Sequence, residues 1–129
     1  MKLCSGQCKY LLALYELSKV NRIVRSVDIA NKLSVTRSSV SRMLKCMSRI
    51  ELINSDYSLN VKLTELGEET AKKLSVNFES VNSFFLEILK LSEHEAYEQS
   101  LLFIASFPET TVDKLSQITV NTLRKRNQK

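Results

Sequence analysis

Only two glycines and one proline punctuate the 129 residues. Turn-rich sandwiches and barrels need many such breakers, so the chain is expected to run in long helices. The apolar pattern agrees. Leu11, Leu14, Tyr15 and Leu17 recur at helical spacing and predict a first helix over 7–19, which Asn21 and Arg22 interrupt. Residues 26–33 predict a short second helix. Ser26 is its expected N-cap, Asp28 lies in the first turn where the helix dipole favours an anion, and Ile29, Ala30 and Leu33 face inward. After a turn at Ser34 and Val35, Thr36 caps a third helix over 37–49. Its stripe Val40, Met43, Leu44, Met47 follows the i, i+3, i+4, i+7 rule.

The pattern then changes period. Leu52 and Ile53 form one strand-like piece. Leu59, Val61 and Leu63 alternate with Asn60, Lys62 and Thr64, as in a half-buried strand. The turn-rich stretch 54–58 joins the two, which predicts a hairpin. Thr64 caps a long helix reaching about residue 90, with Glu65, Glu68 and Glu69 near its positive end. Along it Leu74, Phe78, Val81, Phe85 and Ile88 make a heptad-like seam. Ser92 and Glu95 form a capping box for the next helix. Phe107 and Pro108 end that helix, and a last one over 109–124 carries Val112, Leu115 and Ile118.

The expected fold is therefore all-α with a small β-hairpin wing: a winged helix-turn-helix at 1–72, then a helical dimerisation region at 73–129. The apolar seam and the Val112, Leu115, Ile118 face exceed what one small core needs. Left uncovered they would form a large apolar patch, so a homodimer is expected.

Charge narrows the function. Residues 1–63 hold eleven Lys and Arg against four Asp and Glu, whereas 64–123 hold four against ten, and the last six residues add four more cations. A basic front and an acidic rear suit a protein that presents one face to a polyanion. On the third helix the basic and hydroxyl side chains Ser38, Arg42, Lys45 and Arg49 point away from the apolar stripe, with Ser41 on the flank and Arg37 in the first turn. A helix of that kind fits the major groove, where Arg and Lys donate to guanine and hydroxyls reach bases or phosphates. Lys62 and Tyr57, near the hairpin tip, are candidates for backbone phosphate. The partner expected is double-stranded DNA. No Gly-rich phosphate loop and no nucleophile–base pair is visible, so catalysis is not expected. No apolar run is long enough for a bilayer, the N-terminus lacks a secretory pattern, and an odd cysteine count argues against structural disulfides. A cytoplasmic location is expected.

The stretch Ser26-Val27-Asp28-Ile29-Ala30, with Leu33-Ser34-Val35-Thr36-Arg37-Ser38-Ser39-Val40-Ser41-Arg42-Met43-Leu44, resembles the DNA-binding domain of the diphtheria-toxin-repressor family of metal-dependent regulators. Leu63-Thr64-Glu65-Leu66-Gly67 is similar to the family's strand-to-helix junction. The resemblance is strong over about 9–75 and rests on helix pattern alone elsewhere. It points to the short, manganese-sensing members without an SH3-like third domain. The MarR family shares part of the pattern, but its dimer helices usually flank the motif on both sides, and little precedes the first helix here.

What the resemblance implies is a homodimer on a pseudo-palindromic operator, most simply as a repressor, with manganese or iron as effector. The implied metal ligands match this chain poorly. Aligned on Tyr10, Tyr15, Phe85 and Leu86, the six ligand positions fall on Lys9, Leu12, Glu79, Leu101, Ile104 and Ala105. Only Glu79 offers a donor for a hard divalent cation. The weak replacement candidates are Cys4 with Cys8 and His94 with Glu98, each pair at i, i+4. Cys46, at the edge of the third helix, is a further thiol that oxidation could reach. The effector is thus unknown from sequence. The alternative reading is a winged-helix protein-interaction module without specific DNA binding.

Overall fold

The computed structural model describes residues 2–128. Six α-helices follow one another: α1 Ser5–Val20, α2 Ser26–Leu33, α3 Arg37–Arg49, α4 Glu65–Ser83, α5 Glu93–Ser106 and α6 Glu109–Asn127, with a π-helical turn, Phe84–Ile88, directly after α4. The chain divides into two compact units. One is Gly6–Lys73; the other joins the residues up to Ser5 to Leu74–Lys129. Among the described residues no helix is long and apolar enough to cross a membrane.

In the first unit Leu11 and Leu14 of α1, Ile29 of α2, and Val40, Leu44 and Met47 of α3 make one apolar core, each at most 1% exposed. The helices end in a way that a glycine-poor chain must improvise. After α2, Ser34 takes a left-handed φ of 54°, the Val35 N–H donates to Ala30 O and the Ser34 N–H to Asn31 O. After α3, Glu51 does the same at φ 63°, with Leu52 N–H to Met47 O and Glu51 N–H to Ser48 O. Both are Schellman motifs, in which glycine is the usual left-handed residue. The start of α2 differs from expectation. Arg25, not Ser26, is the N-cap, and the Asp28 carboxylate accepts from its backbone N–H at 2.8 Å.

The expected hairpin is reduced to a single antiparallel bridge between Ile53 and Leu63, with no named strand among the described residues. Leu59 is 77% exposed, although the alternation predicts it inside. The reason lies in Asn54. Its backbone N–H donates to Lys62 O, but the Lys62 N–H returns to the Asn54 side-chain Oδ1 instead of a backbone carbonyl. Asn54 Nδ2 also donates to the carbonyls of Asp56 and Asn60. A side chain thus takes the place of the next ladder rung, and the pairing stops.

Gly67 shows why the loop can lie so close to α4. A Cβ at this position would stand 2.0 Å from Leu52 O, the carbonyl that accepts the Thr64 N–H. Only glycine lets that backbone approach.

In the second unit α4, the π turn, α5 and α6 pack through Leu74, Val81, Ala96, Leu101 and Val112, all buried. The α4 seam is used within the chain. Phe78 meets Tyr97 edge to face at 5.5 Å, and Phe85 meets Phe103 at 6.3 Å. The long helix stops short of residue 90: Leu89 N–H reaches back five residues to Phe84 O, and Lys90 at φ 61° ends the turn. On α6 the inner face is Val112, Ser116 and Thr119, whereas Ile118 is 60% exposed. The buried hydroxyls cost little because Ser100 and Thr119 donate to carbonyls four residues back.

The end of α5 is closed by the N-terminal arm. Pro108 has no N–H, so Ile104 O lacks the donor that a continuing helix would supply. Lys2 Nζ donates to Ile104 O at 2.6 Å and also to Phe107 O, while Leu3 beside it is buried. A cation on terminal carbonyls also suits the negative end of the helix.

Candidate nucleic-acid interface

The interface is built on α3. Thr36 caps it, its Oγ1 accepting from the Ser39 N–H at 3.1 Å. Val40, Leu44 and Met47 anchor the inner face and Met43 is half-buried beside them. With that stripe held, Arg37, Ser38, Ser41, Arg42, Lys45 and Arg49 are all exposed. Four cations and two hydroxyls on one helix, preceded by a second short helix across a tight turn, can dock on a polyanion and donate to acceptors in a groove.

Below the helix, Tyr10 of α1 is buried. Burial pushes its phenol pKa up, and the Arg42 guanidinium works against that rise. The phenol therefore stays protonated at neutral pH. Cys46 is half-buried and accepts a hydrogen bond from Gln7 Nε2 at 3.3 Å, which ties α1 to α3.

Lys62 is exposed at the foot of the 54–62 loop and Tyr57 is half-buried in it. A feature invisible in the one-dimensional pattern lies next to it. The α1–α2 connection is sewn to this loop: the Val61 N–H donates to Val24 O at 2.7 Å and the Val24 N–H to Asn60 Oδ1 at 3.0 Å. The α1–α2 connection is too short for a period-2 signal, and the alternation of 59–63 does not say which segment it meets. Asn60 could be found from sequence only as a polar residue between apolar neighbours.

Residues 2–58 match the family model for the iron dependent repressor, N-terminal DNA binding domain. An uncharacterized HTH-type transcriptional regulator of Methanocaldococcus jannaschii is 28% identical over 107 residues, covering 82% of this chain and 86% of that protein. The fold is similar to the manganese regulator SloR, with a TM-score of 0.76 and 25% identity over 87% of this chain and 52% of SloR. Over residues 2–58 the chain is thus similar to the DNA-binding domain of the iron-dependent repressors. It spans about half the length of SloR. A hypothetical protein from Sulfolobus solfataricus shares the fold nearly end to end, with a TM-score of 0.65 and 22% identity over 90% of this chain and 88% of that one.

Relationship to metal-dependent regulators raises the question of whether these residues fit a metal. At the positions aligned with the family's ligands, Leu12 in α1 and Leu101 and Ile104 in α5 are buried alkyl groups. Lys9 and Ala105 are half-buried, and Glu79 is exposed on α4. Alkyl carbons have no lone pair, and an ammonium repels a cation, so this set does not fit manganese or iron. The replacement candidates fare no better. Cys4 is exposed and precedes α1, whereas Cys8 is buried inside it. His94 is exposed in the first turn of α5 and Glu98 half-buried one turn later. Among the described residues no three His, Cys, Asp or Glu side chains gather as a metal site would require.

Proposed function

We propose that this chain is a sequence-specific DNA-binding transcriptional regulator, most simply a repressor, in which α3 is the recognition helix. The observation that carries the reading is the two-faced character of α3: a buried stripe of Val40, Leu44 and Met47 behind an exposed face of Arg37, Ser38, Ser41, Arg42 and Lys45. The 54–62 loop acts as the wing, with Lys62 on phosphate. The kinship with HTH-type and metal-dependent regulators supports the same reading. The second unit serves as the dimerisation region, so that two copies meet a pseudo-palindromic operator. Leu89, Leu102, Phe107, Ile118 and Val120, all 40% exposed or more, are apolar groups that such an interface would cover. Because four of the six aligned ligand positions hold alkyl groups and a fifth an ammonium, DNA binding does not depend on manganese or iron there.

The decisive experiment selects a binding sequence from a random duplex pool and then compares variants on it. Arg42→Ala weakens the selected sequence by about 1–3 kcal/mol, and Lys62→Ala weakens all sequences alike. A protein that enriches no sequence and shows no steep salt dependence would be a protein-interaction module instead.

A further inference from the structure

We propose that the connection between α1 and α2 is a second DNA-gripping element, with Arg22 and Arg25 acting on phosphate beside Lys62. The inference rests on the reading that the first unit binds DNA, and it adds a contact surface outside both the recognition helix and the wing.

Three observations carry it. First, the connection is not a free loop. Two hydrogen bonds, Val61 N–H to Val24 O and Val24 N–H to Asn60 Oδ1, pair it with the wing's returning limb. Second, the pairing sorts the side chains by face. Val24 and Val61 are buried at 2% and 1% exposure, so their neighbours are turned outward, and Arg25 and Lys62 are both exposed. Arg22, two residues before Val24, is exposed as well. Third, among the described residues none of the three forms an ion pair; Asp28, three residues after Arg25, is held on the Arg25 backbone N–H. Residues 17–27 contain no Asp or Glu at all.

Arg25 and Lys62 stand on the paired segments and Arg22 is exposed just before them, which makes a basic strip. The chemistry is that of a polyanion with regular charge, and the strip reads no base. Its contribution is sequence-independent affinity and register, which leaves discrimination to α3.

The test uses the full chain and measures binding to a random duplex and to the selected sequence across a salt series. The double variant Arg22→Gln, Arg25→Gln keeps both backbones. Its thermal unfolding should match the parent. Each lost phosphate contact lowers the slope of log affinity against log salt by about 0.9, so the double variant should be shallower by nearly 2. Affinity for both duplexes should fall by the same factor. A slope equal to the parent's, with Lys45→Gln shallower on the same duplex, would overturn the second element while leaving DNA binding by α3 intact. A parent without salt-dependent binding would overturn both.

Discussion

Gly67 shows how one residue can govern a junction. Glycine is ordinarily a worse helix former than alanine, by up to about 1 kcal/mol. Here that preference is reversed by a backbone carbonyl, Leu52 O, only 2.0 Å from where a Cβ would stand. Gly67→Ala should destabilise the protein by about 1–3 kcal/mol, the usual range for overpacking, as read by urea unfolding. Unchanged stability would mean that α4 can move away from the loop. Glu51 is the opposite case. It holds a left-handed φ of 63° with a side chain that gains nothing from it. Glu51→Gly relieves a strain of about 1 kcal/mol, so the midpoint in urea should rise, although part of the gain is lost to the more flexible unfolded chain.

Among the elements, α5 depends on a partner distant in sequence. Its Ile104 carbonyl is orphaned by Pro108 and taken by Lys2, 102 residues away. Lys2→Met keeps much of the aliphatic stem and removes the donor. Backbone amides near the end of α5 and the start of α6 should then exchange faster, while those of α3 keep their protection. Equal exchange in both proteins would mean that water replaces the ammonium without loss. The wing illustrates the same dependence on a single group. Asn54 supplies one backbone and three side-chain hydrogen bonds to its own loop, and this is why the alternating pattern of 59–63 does not become a strand.

For the whole molecule, the prediction concerns assembly and effector together. Purified protein should sediment as a dimer at tens of micromolar, and chelation should alter neither its mass nor its affinity for the selected sequence. A monomer would remove the proposed role of the second unit. A gain of tenfold or more on adding manganese or iron, about 1.4 kcal/mol, would refute metal independence. The physical basis is that Leu12, Leu101 and Ile104 are buried alkyl groups with no lone pair to offer a cation. Among the described residues no three His, Cys, Asp or Glu side chains gather to hold a cation.

The helices of the first unit were legible in the sequence because their information is local. A stripe at i, i+3, i+4, i+7 and a threonine cap need no knowledge of the rest of the chain, and α2 and α3 occupy 26–33 and 37–49 as the pattern predicts. The exposed basic face of α3 follows from the same periodicity. What the tertiary structure decided depends on groups far apart. The sequence pattern assigns Ile118 to the inside of α6, but Ser116 and Thr119 are buried in its place, because their hydroxyls are satisfied within the helix and with Asn77. The seam on α4 meets α5 of the same chain through Phe78 and Phe85. The pairing of Val24 with Val61 spans 37 residues and leaves no periodic trace. Periodicity reports which face of a segment avoids water; which neighbour covers that face is settled only when the segments meet.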